Sequence, residues 1–214
     1  MMMTKGKGTP TNISDEMYDP GTPQYGIAAA LLCTTGFIAL FLPNVTGDPH
    51  PRMTHYMGVL GSNQPWNVLL FMGTPVVLAE AIAVSELSVL FTQGKLKPWV
   101  LNLNKYCGIA LGPYFFGIFV YLMKNAVIPL TANAIWHGPA DVVAVFTYLF
   151  SVVPLVGMTL IELNILGRSS ARDRMRLHAI FVGIFLITVH IAMVVGMFDP
   201  LQWGWAGMPG VTYD

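Results

Sequence analysis

The sequence predicts an all-α integral membrane protein with five transmembrane helices. Hydrophobic residues make up 54% of the 214 residues and charged residues only 10%, against about 25% charged residues in ordinary soluble domains. The apolar residues gather in five stretches near the ~20 residues that a helix needs to cross a bilayer. Lysine and arginine collect in alternate connections, as in multi-pass membrane proteins. The formal net charge of zero argues against a nucleic-acid partner.

The predicted spans are bounded by proline or glycine, which end helices. They cover residues 26–43, 66–92, 106–130, 140–166 and 175–198. Pro75, Pro113 and Pro154 lie inside spans and predict kinks, since each removes a backbone donor. The spans form one transmembrane domain, residues 26–198, between a polar arm at 1–25 and a short tail at 199–214.

The positions of the basic residues predict the orientation. The connection 93–105 carries three lysines and the connection 167–174 carries three arginines, whereas the remaining connections and the tail carry only Arg52. The positive-inside rule places the two basic connections in the cytoplasm. The N-terminus is then cytoplasmic and the C-terminus periplasmic, in a bacterial inner membrane. Trp66, Trp136, Trp203 and Trp205 fall on the outer side, as an interfacial belt requires.

Ionisable residues inside the apolar spans predict a polar interior site, because each costs about 3 kcal/mol or more at membrane depth. Glu162 and His178 flank the fourth connection symmetrically, so they lie at nearly the same depth, and Glu86 falls in the same layer. We expect these three side chains to converge. With Glu80, they are candidate ligands of a divalent metal. The same groups suit a proton relay.

A second layer is predicted nearer the middle of the membrane, where Glu80 and His190 fall within about one helical turn of each other in depth. A lone histidine such as His190 is also satisfied by bonding a backbone carbonyl. Asp141 and Lys124 lie near helix ends, where they can pair or extend to the interface.

Haem is the third option for the interior. Bis-histidine haem requires two histidines at matched depth on facing helices, and the inner half of the membrane offers only His178. A pair of haems across the membrane is therefore not expected. One outer-side haem b remains open, with His55, His137 and His190 as candidate ligands. The segment 61–67 suits a quinone pocket, although a helix-capping turn explains it more simply.

Smaller features are predicted to be structural. Cys33 and Cys107 have no partner spacing and are expected to pack as small apolar residues. Gly108, Gly112 and Gly117 are expected to be close-packing points between helices.

Three strings in the chain, HYMGVLGSNQPWN, AEAIAVSEL and HGPADVVAV, resemble those of small bacterial membrane proteins labelled permeases. The resemblance covers about residues 53–200. It implies a multi-pass inner-membrane protein and carries no established activity. Cytochrome-b subunits of the nitrate-reductase type also have five spans and a similar length, but this chain lacks the paired histidines on its second span that such a fold needs.

The function hypothesis is a membrane subunit of a respiratory or metallo-oxidase assembly, taking part in electron transport but not catalytic on its own. Its interior would handle protons, a divalent metal, a quinone or a single haem. The alternatives are a cation- or proton-coupled permease and a purely structural accessory subunit. The expected partners are membrane lipid and other membrane subunits, because the polar arm at 1–25 would ordinarily be disordered without a partner to hold it.

Overall fold

The described part of the chain is all-helical and contains helices long and apolar enough to cross a membrane, as predicted. A computed structural model describes residues 22–47, 50–92, 97–167 and 171–207, without the side chains of 89, 90, 171 and 172. These ranges contain helices, turns and no β-strand. Four helical segments in them are long and apolar enough to cross a membrane, namely Trp66–Ser88, Pro98–Ala132, Gly138–Glu162 and Asp173–Gly196. The predicted first span is an apolar helix of 17 residues, Tyr25–Phe41.

Most of the polar arm, residues 93–96 and 168–170 of the two basic connections and the end of the tail lie outside the described residues. The helices within them are α1 (Tyr25–Phe41), α2 (His55–Gly61), α3 (Trp66–Val68), α4 (Thr74–Phe91), α5 (Pro98–Leu122), α6 (Ile128–Ala132), α7 (Gly138–Phe150), α8 (Val152–Glu162) and α9 (Ala171–Gly196). Two π-helical turns, Leu69–Gly73 and Met123–Val127, join α3 to α4 and α5 to α6. The third span starts at Pro98 rather than at 106, since proline is favoured in a first helical turn.

Helix α5 lies at the centre of the bundle and packs against α1, α4 and α8. Glycines allow this close approach, as predicted. A methyl group at Gly112 would lie 2.7 Å from the backbone oxygen of Leu155, so only glycine fits at the crossing of α5 and α8. The Thr159 hydroxyl on α8 donates to the Gly108 carbonyl of α5 at 2.8 Å. The crossing follows the small-residue packing typical of membrane helices.

Pro75 disturbs the helical segment Trp66–Ser88, and side chains bond the carbonyls that it frees. Pro75 has no N–H, and the π turn before it shifts the backbone register, so the carbonyls of Leu70 and Phe71 lose helical donors. The Tyr114 hydroxyl donates to Leu70 O at 2.8 Å, and the Tyr148 hydroxyl donates to Phe71 O. Unpaired backbone groups are too costly to leave inside a membrane, which explains these two phenol contacts.

The helix of the fourth span is interrupted at Ser151, between α7 and α8 and three residues before Pro154. This break lies next to the proline at which a kink was predicted. The buried Ser151 hydroxyl hydrogen-bonds the Thr188 hydroxyl of α9 at 2.9 Å, which links the break to the neighbouring helix.

The bundle has two chemically different ends. The end at which α4 and α8 finish and α5 and α9 begin is called the basic end, because Lys97, Lys105, Arg174 and Arg176 lie there. The opposite end, where Trp66, Trp136, Trp203 and Trp205 lie, is called the tryptophan end. The start of α1 belongs to the basic end, since Gln24 N–H donates to the Leu163 carbonyl at 3.0 Å.

Candidate functional site

Three ionisable side chains from three helices meet near the basic end. Glu86 comes from α4, Glu162 from the last residue of α8, and His178 from α9. His178 lies one turn after the buried Arg174 on the inward face of α9. The structure thus brings together the three residues that the depth argument placed in one layer. We call them the basic-end triad.

The imidazole of His178 lies between the two carboxylates. Its Nδ1 hydrogen-bonds Oε1 of Glu86, and its Nε2 lies 3.4 Å from Oε1 of Glu162. The Nε2 contact is close enough for a charge interaction, but Nε2 makes no hydrogen bond within the described part of the chain. The side chains of His178 and Glu162 are 6% and 10% exposed and that of Glu86 is 20% exposed, so Glu86 is the most open of the three.

An imidazole with one carboxylate at each ring nitrogen suits proton transfer. A carboxylate can only accept, so Nδ1 carries the proton when Glu86 is ionised, and Nε2 then presents a lone pair toward Glu162. A proton passing from Glu162 to Nε2, together with release of the Nδ1 proton to Glu86, moves one charge through the ring and exchanges its tautomer. The contact between Nε2 and Glu162 becomes a hydrogen bond when either side chain moves by a few tenths of an ångström, since hydrogen bonds form at about 2.7–3.2 Å.

The same arrangement does not suit a metal ion, because the donor atoms do not converge. Glu86 and Glu162 occupy opposite nitrogens of one ring, whereas a bound ion needs its ligands to point at one centre. Across the described ranges, no group of three or more histidine, cysteine, aspartate or glutamate side chains is placed to hold a metal ion.

A glycine on the central helix makes room for the triad. A methyl group at Gly108 would lie 3.0 Å from Cγ of Glu162 and 3.8 Å from Nε2 of His178. The backbone of α5 therefore forms one wall of the site. Gly108 was predicted as a packing glycine, and the structure shows that it packs against the side chains of the triad.

The predicted second layer of Glu80 and His190 is wrong. Both side chains are exposed on the outer surface of their helices, and Glu80 makes no hydrogen bond or ion pair with any other described residue. His190 donates from Nδ1 to the Leu186 carbonyl of its own helix at 2.6 Å. Both residues face away from the triad, so Glu80 is not one of its ligands.

A second buried cluster lies at the tryptophan end. Asp141, fully buried near the start of α7, accepts hydrogen bonds from the backbone N–H and the Nδ1 of His55, each at 2.6 Å. It also accepts from the backbone N–H of His137 at 3.0 Å. His137 donates from Nδ1 to the Met53 carbonyl at 2.9 Å and stacks on Trp205 with ring centres 4.1 Å apart. We call Asp141, His55 and His137 the tryptophan-end cluster.

The cluster does not match the predicted haem site. The rings of His55 and His137 are in contact, with centres 4.3 Å apart, so no porphyrin plane fits between them. His190 is exposed on α9 and does not join them. What the cluster does provide is an imidazole with a fixed tautomer, because the carboxylate holds the His55 proton on Nδ1.

Sequence reasoning found the members of the tryptophan-end cluster without finding their connection. Asp141 was expected to pair or to extend to the interface, and its partner His55 was assigned to a cofactor. The useful signal was the position of Asp141 in the first turn of a helix, where a carboxylate satisfies free N–H groups. That signal predicts backbone contacts, but it does not predict the side chain of a distant helix.

Buried hydroxyl groups lie between the two clusters. Thr159 stands one turn from Glu162 on α8, and the Ser151–Thr188 pair lies near mid-span. Tyr148 follows toward the tryptophan end, where its ring packs against Tyr56 at 5.2 Å between centres. Asp141 and Glu162 lie on one helical segment, Gly138–Glu162, about 30 Å apart at 1.5 Å per residue, which matches the thickness of a hydrocarbon core.

One family model matches this chain, over residues 52–210, and it is described as a family of unknown function (DUF6803). The chain belongs to this family. The DUF6803 match includes both clusters and all four long helical segments, so the candidate site lies within the region that the family defines. Neither the curated proteins nor the solved structures contain a match to the chain.

Proposed function

We propose that this DUF6803 protein handles protons in the membrane, as a membrane subunit of a respiratory or metallo-oxidase assembly. The observation that carries the proposal is the placement of one imidazole between two carboxylates, each facing a different ring nitrogen. Histidine changes protonation near neutral pH. A buried carboxylate and imidazole that exchange a proton avoid leaving a net charge in a low-dielectric interior.

The tryptophan-end cluster supports a path that continues across the membrane. His55 is held by a buried carboxylate, and the hydroxyl groups of Thr159, Ser151 and Thr188 lie between it and the triad. Hydroxyls both donate and accept, so they are suitable intermediate stations. The proposed path runs from the basic-end triad to the tryptophan-end cluster.

The proposal includes a complete topology. We infer five spans, with α1 as the first, both basic connections in the cytoplasm of a bacterial cell and the tryptophan end on the periplasmic side. The asymmetry of lysine and arginine supports this orientation. The triad then faces the cytoplasmic side, where protons for respiratory chemistry are taken up.

The second candidate is a proton-coupled permease. It is favoured by the presence of a buried ionisable cluster near each end of the Gly138–Glu162 segment, since coupled transport needs a protonation site that can be reached in turn from each side. In a third possibility the triad is purely structural. Its contacts then hold α4, α8 and α9 together and transfer no proton.

Proton flux into liposomes distinguishes these candidates. The purified protein is reconstituted with a trapped pH indicator, and a potassium gradient with valinomycin drives proton entry. Flux through the lone protein that requires no added solute supports the relay. Flux that appears only with a co-transported solute supports the permease. If neither the lone protein nor its isolated native assembly conducts protons, the structural role is correct.

A further inference from the structure

An apolar cavity lies away from both clusters, on the side of the molecule that α1 covers. Its volume is about 290 Å³, near the lower bound for small-molecule pockets. Helix α1 supplies one wall through Thr35, Ile38 and Ala39, and α5 supplies the facing wall through Gly117 and Tyr121. The cavity runs from the middle of these two helices to the tryptophan end.

The cavity opens sideways toward the surrounding medium. Ile38 is 54% exposed and Leu70 is 47% exposed, and both line it. In the topology proposed above, on which this inference rests, α1 is a span and the medium at this depth is the hydrocarbon of the bilayer. Asn63 is exposed and lines the cavity close to the tryptophan end, so the polar rim lies near the headgroups and the apolar part lies deeper.

The hydroxyl groups around the cavity are already engaged. Tyr121 donates its proton to the Pro43 carbonyl at 3.1 Å and accepts from Val45 N–H at 2.7 Å. Tyr114 donates to the Leu70 carbonyl at 2.8 Å. A phenol has one proton to donate, so neither can donate to the carbonyl oxygens of a quinone ring. Water inside would also lack the two to four polar partners that it needs.

We propose that this cavity binds an acyl chain of a membrane phospholipid, with the headgroup at the Asn63 rim. The apolar lining, the lateral opening at bilayer depth and the engaged hydroxyls together fit a hydrocarbon chain better than a polar ring. The lipid would fill the space between α1 and the π turn Leu69–Gly73 and so hold α1 against the bundle. This proposal does not depend on proton transfer at the triad.

The test uses the full chain in liposomes that contain a phosphatidylcholine with a photoreactive diazirine in its acyl chain. After irradiation, mass spectrometry locates the adducts. The expected adducts concentrate on residues 35–42 and 114–121. Ala39→Phe should reduce them several-fold, since Ala39 is only 2% exposed and lines the cavity.

Ala30→Phe is the matched control, because it makes the same change at an exposed position of α1 and should leave the adducts unchanged. Ile38→Trp narrows the opening at an exposed position and serves if Ala39→Phe does not fold. Adducts spread evenly over exposed helix faces, unchanged in both cavity variants, overturn the proposal. Recovery of a quinone that displaces the photoreactive lipid from these segments also overturns it.

Discussion

At the scale of single residues, the direction in which each ionisable side chain points decides whether it can join the triad. The rise of about 1.5 Å per residue gives depth from sequence alone, and it placed Glu86, Glu162 and His178 together. It says nothing about direction around the helix axis. Glu80 precedes Glu86 by six residues and His190 follows His178 by twelve. At about 100° per residue, each lies about 120° around its helix from the triad member, which explains their exposure.

The tie between Asp141 and the two histidine-bearing segments leads to a stability prediction. Asp141→Asn should lower the free energy of unfolding by about 2 kcal/mol, because hydrogen bonds to charged acceptors are worth about 1.5–3 kcal/mol and Asp141 accepts three. Thermal unfolding in detergent measures the effect. Asp199→Asn is the control: Asp199 is only half-buried and accepts from Leu201 N–H at 3.1 Å, so its loss should cost clearly less. Equal effects would contradict the special role of Asp141.

At the scale of helices, the sequence predicts the packing glycines but not what they pack against. A glycine in an apolar helix marks a close approach, and the neighbour is set by the tertiary arrangement. The π turns were also not predicted, although Pro75 indicated a disturbed helix. The hydroxyls of Tyr114 and Tyr148, which satisfy the freed carbonyls, come from distant parts of the chain, so local sequence carries no sign of them.

Two glycines on the same face of α5 should behave differently when replaced. Gly112→Ala should destabilise the protein by about 1–3 kcal/mol, as overpacking does, because the added methyl meets the Leu155 backbone oxygen at 2.7 Å. Gly108→Ala should cost less stability, since the methyl meets the flexible side chain of Glu162, but it should reduce proton flux by displacing that carboxylate. Thermal unfolding and liposome flux are measured on both variants. Wild-type flux in a folded Gly108→Ala variant would contradict this assignment.

At the scale of the whole molecule, composition and periodicity are sufficient to predict an all-helical membrane protein. They do not fix the number of crossings, because α1 has 17 residues, somewhat short of the ~20 that a span usually needs. Its packing on the central helix α5 is a tertiary feature. The proposed orientation depends only on the unequal distribution of lysine and arginine between the two ends. It therefore needs a direct measurement.

Cysteine labelling in intact cells tests the orientation. In a Cys33→Ala background, Gln202→Cys at the tryptophan end should react with a membrane-impermeant maleimide, and Thr92→Cys at the basic end should react only after the cells are opened. Both positions are exposed, and Cys107 is buried. Labelling of Thr92→Cys in intact cells would reverse the proposed orientation and place the triad on the outer side.

The most direct test of proton handling compares two glutamates by liposome flux. Glu162→Gln keeps the size and hydrogen-bonding capacity of a triad member but cannot carry a proton, whereas Glu80→Gln makes the same change on the exposed face of α4. Once shown to be folded, the Glu162→Gln variant should have a proton flux at least about tenfold lower than the wild type. The reason is that a positioned proton-transfer group contributes about 10²–10⁴-fold to the rate of the step. Glu80→Gln should keep the wild-type flux. Wild-type flux in Glu162→Gln, or an equal loss in both variants, would contradict the account.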